Sequence, residues 1–298
     1  FREATMQFTL FLGCNIPARV KQYELSARAV LEKLGIKVAD NKEFKCCGNP
    51  IRNTDDQAFI LMAARNLALA EKQGRDMMVL CKCCFGSLKN AAHVMAHHPS
   101  IQSDVNAALA KENLRYTGAV EIKHFLSVLY HEVGIKPLKE AVTRPFKKLN
   151  IATHYGCHAL RPSDVTQFDD PVAPVVFDEL VSVTGAKSIK WPLKLECCGA
   201  PMLGVMDTLS MDLTERKIND GLNAGANYLC VACPYCQMQF DRVQKMMSPD
   251  PKDNRRLASL VYPQLLGLGM GIAGEELGIS ENELDISNIE SFLEQEIQ

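Results

Sequence analysis

The stretches KCCGNP (residues 45–50) and ECCGAP (residues 196–201) decide how this chain is read. Both spell Cys-Cys-Gly-x-Pro, about 150 residues apart in a chain of 298. Adjacent cysteines do not readily bond to each other, because a vicinal disulfide is strained. Two neighbouring sulfurs, present twice, point to a shared acceptor for thiolates and to an internal duplication.

Working outward, the surroundings of the two motifs repeat as well. FTLFLGC (residues 8–14) and IATHYGC (residues 151–157) are short apolar runs ending in Gly-Cys, and each is followed by a helical pattern, residues 18–35 and 172–185. After each Cys-Cys-Gly comes a second helical pattern, residues 55–74 and 208–225. MMVLCKCC (residues 77–84) and NYLCVACPYC (residues 227–236) then read as buried strands returning to cysteine, with a third helix in residues 87–98 and 237–247. Residues 120–135 and 261–279 match more loosely. Alternating strands and helices predict an α/β fold with parallel strands and crossover helices, in two tandem domains at 1–147 and 148–298. In such Rossmann-like layers the working groups sit at the carboxyl ends of the strands. Cys14, Cys81, Cys157 and Cys233 all fall at such ends, so each half is expected to gather its cysteines on one rim.

Bulk composition is that of a globular protein, 47% apolar and 23% charged, with a net charge of −2. No basic stripe stands out, so nucleic-acid binding is not expected. Twelve cysteines are the departure from ordinary usage. No secretory pattern is visible, residues 1–5 read as a leader, and clustered cysteines in a cytoplasmic chain point to metal more than to disulfides. The uncharged run at 257–274 contains Pro263 and several glycines and reads as buried interior, not a membrane span. The acidic segment 280–298 reads as a solvated or partner-contacting helix.

The first half presents Cys14, Cys46-Cys47 and Cys81-x-x-Cys84; the second presents Cys157, Cys197-Cys198 and Cys233-x-x-Cys236. The gaps before the pair are 31 and 39 residues, and those after it 33 and 34. Five thiolates per half exceed the four that zinc or a cubane [4Fe–4S] cluster takes. A vicinal pair can reach two neighbouring irons of an opened cluster. Structural zinc and a metal-free thiol relay are the alternatives that residue chemistry leaves open. Gly48 and Gly199 permit a sharp turn and close backbone approach, and Pro50 and Pro201 stiffen the exit. Cys83 and Cys230 lie outside the repeated set and read as small buried hydrophobes.

This cysteine order, with FLGCNIPAR at the start and HYGCHALRPS at the middle, resembles the cysteine-rich CCG domain in two copies, as in the B subunits of heterodisulfide reductase. The likeness runs from about residue 7 to residue 280, and the gap after each pair is a residue or two shorter than is usual there. The resemblance implies two non-cubane [4Fe–4S] clusters, the first held by Cys14, Cys46, Cys47, Cys81 and Cys84, the second by Cys157, Cys197, Cys198, Cys233 and Cys236. It implies an oxidoreductase that cleaves a disulfide between the clusters, one electron from each, with the coenzyme M–coenzyme B heterodisulfide or a related disulfide as substrate. Electrons would arrive from a cubane iron–sulfur subunit of the C type, itself fed by a flavoprotein subunit of the A type; the chain lacks a dinucleotide fingerprint of its own. The other reading is an electron-relay subunit of a flavoprotein- or quinone-linked dehydrogenase that binds no disulfide. Arg19 and Arg161 are candidates for the anionic ends of a substrate, with Lys82 and Arg52 as weaker ones. His154 and His158, flanking Cys157, are candidates for hydrogen bonding to a cluster or for proton delivery.

Overall fold

The computed structural model describes residues 6–248, 250 and 255–294; residues 1–5, expected to be a leader, and the last four residues of the acidic segment lie outside the described residues. Strands β1 (Gln7–Phe11), β2 (Lys37–Ala39), β3 (Met77–Val79) and β4 (Ile122–His124) form one parallel sheet in the order β2-β1-β3-β4. Strands β5 (Asn150–Thr153), β6 (Lys187–Ser188), β7 (Tyr228–Val231) and β8 (Ser259–Val261) form a second in the order β6-β5-β7-β8. The central strands β3 and β7 are buried throughout, as continuous apolar runs in a parallel sheet should be.

The strand order places the cysteines. The chain steps outward from β1 to β2, then crosses back to β3 on the other side of β1, so the order reverses between β1 and β3. A crevice opens at the carboxyl ends of strands where such a reversal occurs. Cys14 follows β1 and Cys81 follows β3; Cys157 follows β5 and Cys233 follows β7. Register agrees between the halves, with Phe11 opposite Val79 and Thr153 opposite Cys230.

Several helices differ from the predicted bounds for identifiable reasons. The helix expected over 18–35 is two, Asn15–Arg19 and Lys21–Lys33, separated at Val20, whose φ of −139° and ψ of 55° leave the helical region. The third helix of the first half begins at Lys82, not 87, directly after β3, and the Cys81 sulfur accepts from the Cys84 N–H at 3.5 Å and caps it. Its counterpart starts at Pro234 and passes through a π turn at Gln239–Val243. The acidic segment is not a solvated helix. It runs as short 3₁₀ turns, and Leu284, Ile286 and Ile289 are buried while the Asp241 carboxylate accepts from the Glu283 and Leu284 N–H groups at 2.9 and 2.7 Å. Its apolar residues anchor it and leave the acidic ones at the surface.

The run at 257–274 is interior as far as Met270, with Gly271 and Ala273 exposed beyond it. It forms β8 and the helix Tyr262–Gly269, every residue of which is buried. Among the described residues no helix is long and apolar enough to cross a membrane. This helix packs on Lys21–Lys33 of the first half, while the segment after β4, including Phe125–Ser127 and Ile135–Ala141, packs on Val176–Val183 of the second. Each half thus covers part of the other. Replacing Leu265, which is fully buried in the exchanged helix, by alanine should cost about 2–5 kcal/mol. Urea unfolding followed by circular dichroism and by tyrosine/tryptophan fluorescence should remain one coincident transition. Two separated transitions would mean that the halves fold independently.

Candidate metal centre

Each Cys-x-x-Cys opens a helix, so its first cysteine is the N-cap and its second lies one turn on. Both sulfurs then sit at the helix N-terminus, where unpaired N–H groups and the macrodipole favour negative charge. Gly48 (φ +85°) and Gly199 (φ +91°) turn the chain after each vicinal pair. A Cβ on Gly199 would lie 2.5 Å from the Ser210 carbonyl oxygen, so no larger residue fits there. The pair loops are also tied down. Asn66 accepts from Lys45 N–H at 2.9 Å and donates to the Cys46 carbonyl at 3.2 Å. In the second half Ser210 Oγ donates to the Gly199 carbonyl at 3.0 Å, and Thr214 Oγ1 lies 3.1 Å from that of Cys198.

Two small cavities result. One is lined by Cys14, Cys46, Cys47, Cys81 and Cys84. The other is lined by Cys157, Cys197, Cys198, Cys233 and Cys236. The structure therefore brings all ten repeated cysteines together, five and five. Their electrostatics repeat too. The S–H groups of Cys14 and Cys47 push the Cys46 thiol down to about 2, and those of Cys157 and Cys198 push Cys197 down to about 2. Cys47 and Cys198, each facing that ionised neighbour, are pushed up to about 12. Sulfurs this close cannot all ionise without a cation among them. Five soft donors around a small cavity suit an iron–sulfur cluster.

The cavities adjoin. The sulfurs of Cys81, Cys83 and Cys233 lie within 4.8 Å of one another, joining the two halves. The x-x residues reach across: Pro234 and Tyr235 line the first cavity, Lys82 and Cys83 the second. Cys83 and Tyr235, which hold the same place in the two motifs, line both cavities. Gly86, one turn further along, meets the second half so closely that a Cβ there would sit 2.5 Å from the His158 carbonyl oxygen.

Of the other candidates, His158 lines the second cavity with Nδ1 2.9 Å from Cys83 Sγ. His154 is buried beside it, a ring nitrogen within 4.8 Å of the Cys198 and Cys236 sulfurs, and neither nitrogen has a hydrogen-bond partner among the described residues. Burial holds the imidazole far below its usual range, hence neutral. Lys82 is 2% exposed, donates to the Tyr155 carbonyl at 2.8 Å and faces the Phe177 ring at 4.7 Å. Burial pulls it down to about 8 against the opposing pull of nearby cysteine sulfurs. Arg19 and Arg161 are exposed and line neither cavity; Arg52 lies over Phe59, away from both. Cys230 is fully buried on β7.

Two residues carry more weight in the structure than the sequence reading gives them. Cys83 is no mere packing residue, and its place inside Cys-x-x-Cys is the signal that could have shown it. Lys217 is 1% exposed; its ammonium donates to the Leu193 and Glu196 carbonyls and faces Trp191 at 4.7 Å. It stands 19 residues after Cys198, as Asn66 stands 19 after Cys47, and that match is what marks it in the sequence.

Comparison with known proteins agrees with this geometry. The CCG cysteine-rich domain family matches residues 8–89 and 151–241. The chain is 36% identical over 289 residues to the B subunit of the ferredoxin/F(420)H(2)-dependent CoB-CoM heterodisulfide reductase of Methanosarcina acetivorans, covering 95% of each chain. It is 34% identical to a protein of Archaeoglobus profundus described as like the B subunit of heterodisulfide reductase, over 91% of this chain and 93% of that one. It is also 31% identical to the 8-methylmenaquinol:fumarate reductase membrane anchor subunit of Wolinella succinogenes, over 95% of this chain and 99% of that one. A crystal structure of a hypothetical protein from Helicobacter pylori shares the fold, with a TM-score of 0.75 and 20% identity over 96% of this chain and 53% of that one. With two CCG domains and near full-length similarity to such subunits, the chain belongs to the cysteine-rich iron–sulfur family of heterodisulfide reductase B subunits.

Proposed function

We propose that the chain is the disulfide-cleaving subunit of a heterodisulfide reductase-type complex. Cys14, Cys46, Cys47, Cys81 and Cys84 would hold one non-cubane [4Fe–4S] cluster, and Cys157, Cys197, Cys198, Cys233 and Cys236 the other. Such clusters, when bound, supply one electron each and an iron that takes up a thiolate. The observation that carries the reading is the contact of two complete five-thiol cavities through Cys81, Cys83 and Cys233. Breaking a disulfide takes two electrons, and two adjoining centres can deliver them without releasing a sulfur radical.

The chain's own residues prepare that reaction. The two helix N-termini stabilise the negative charge that cysteine ligands and product thiolates bring. Lys82, held by the Tyr155 carbonyl among aromatic rings, sets a cation beside the second cavity. His158, against Cys83 at 2.9 Å, is placed to hold a proton near the gap. Electrons would come from partner subunits of the C and A types, carrying cubane clusters and flavin. The substrate is a disulfide of the coenzyme M–coenzyme B class or a related one, and the complex works in the cytoplasm.

A relay without a disulfide site is the second reading. The similarity to a menaquinol:fumarate reductase subunit favours it, and so does the filling of the gap by Cys83 and Tyr235. Electron paramagnetic resonance separates the two. Adding product thiol to the oxidised protein should change the spectrum of at least one cluster; a relay would give a spectrum indifferent to thiol.

The loaded chain should contain about eight irons, and Cys46→Ser or Cys198→Ser should each leave about four. Loss of all iron from either variant would contradict two independent sites. Gly86→Ala should keep the iron but force the halves apart at His158. Disulfide reduction by the complex should then fall at least about tenfold, a barrier increase of about 1.4 kcal/mol. Unchanged turnover would show that the spacing of the two cavities does not matter.

A further inference from the structure

Three pairs of buried equivalent positions differ between the halves in the same sense, whereas the exposed pair Lys45 and Glu196, one residue before each vicinal pair, differs in the opposite sense and is screened by solvent. His154, three residues before Cys157, corresponds to Phe11, three before Cys14. Lys217, 19 residues after Cys198, corresponds to Asn66, 19 after Cys47. Lys82, which lines the second cavity, corresponds to Pro234, which lines the first. The second cavity therefore has two buried lysines and a buried imidazole beside it, while the first has an amide, a phenyl ring and a proline. Lys217 acts on the sulfurs of Cys198 and Cys236, and the His154 ring lies within 4.8 Å of the same two.

We propose that the two clusters are inequivalent by construction, the second having the higher reduction potential and taking an electron from the iron–sulfur donor before the first. This rests on the reading that each cavity holds a cluster. Reduction adds one negative charge to a group already surrounded by thiolates. Nearby cations and N–H donors to sulfur stabilise that added charge and raise the potential. One ring nitrogen of neutral His154 carries a proton, and no acceptor among the described residues takes it; a cluster sulfur on Cys198 or Cys236 is the acceptor at hand. Burial works in the opposite direction, because a low-dielectric site resists added charge, and Cys157 is less exposed than Cys14. The same low dielectric strengthens the attraction of Lys82 and Lys217, and with two cations against one added electron their effect prevails.

The test is a redox titration of the loaded full chain followed by electron paramagnetic resonance, with iron measured on each sample. Cys46→Ser, which leaves the second site complete, assigns its signal. Wild type should show two separate one-electron steps, the second cluster's the higher. His154→Phe combined with Lys217→Asn should lower that step so that its reduced-to-oxidised ratio at fixed potential falls at least tenfold, about 59 mV for one electron. His154→Gln, which keeps an N–H donor, should hold most of the wild-type value. Phe11→His should raise the first cluster's step, and its result stands even if the double variant fails to fold. About eight irons with both clusters titrating together, or an upper step unmoved in the double variant, would overturn the inequivalence alone. Selective loss of iron from His154→Phe would overturn the donor role by making His154 a ligand. A wild-type chain that takes up no iron would overturn the cluster reading itself.

Discussion

Mutual repulsion among closely packed sulfurs is the constraint around which this molecule is built. Five thiols gathered around one small cavity oppose one another's ionisation, as the divergent behaviour of Cys46 and Cys47, and of Cys197 and Cys198, makes plain. The fold answers with features that all favour negative charge at the same place. Strand order reverses beside the cysteines, helix N-termini point at them, and polar side chains fix the backbone of each vicinal pair. Polar contacts hold the backbone where the sulfurs attach, and a cationic centre among them would relieve their repulsion.

Much of this is legible in the sequence because the glycines occupy backbone positions that few other residues tolerate and the cysteines recur at fixed places beside them. Gly48 and Gly199 are required by positive φ, while Cys81 and Cys233 have ordinary extended backbones and are marked by recurring at strand ends at a topological switch. Helix starts were less legible. The helix opens at residue 82 behind a sulfur cap, and at the equivalent Pro234 with no side-chain cap, and sulfur is a weak signal among capping residues. The acidic segment misled because its charges are frequent while its anchors, Leu284, Ile286 and Ile289, are few and irregularly spaced.

What the sequence could not reveal was contact between the halves. Cys83 is unremarkable as a residue and decisive as a position, since it touches both cavities only after the two halves meet. Lys217 is marked in the sequence only by its match to Asn66, and its burial shows once the loop Leu193–Glu196 folds over it and supplies carbonyl acceptors. Arg19 and Arg161 show the reverse: similar spacing from a cysteine suggested a role, but the chain carries both outward into solvent. Repeats of sequence report equivalence, and the departures from equivalence gain meaning only in three dimensions.

The exchanged helices bear on ancestry. A chain with a single repeat would leave the first helix of its sheet bare and its own last helix unsupported, so it would be stable only against a second copy of itself. The present chain carries both copies on one polypeptide, so a position need not be the same in the two halves. A thiol can stand in one half where the other has a phenol, and an imidazole where the other has a phenyl ring, neither of which identical subunits permit.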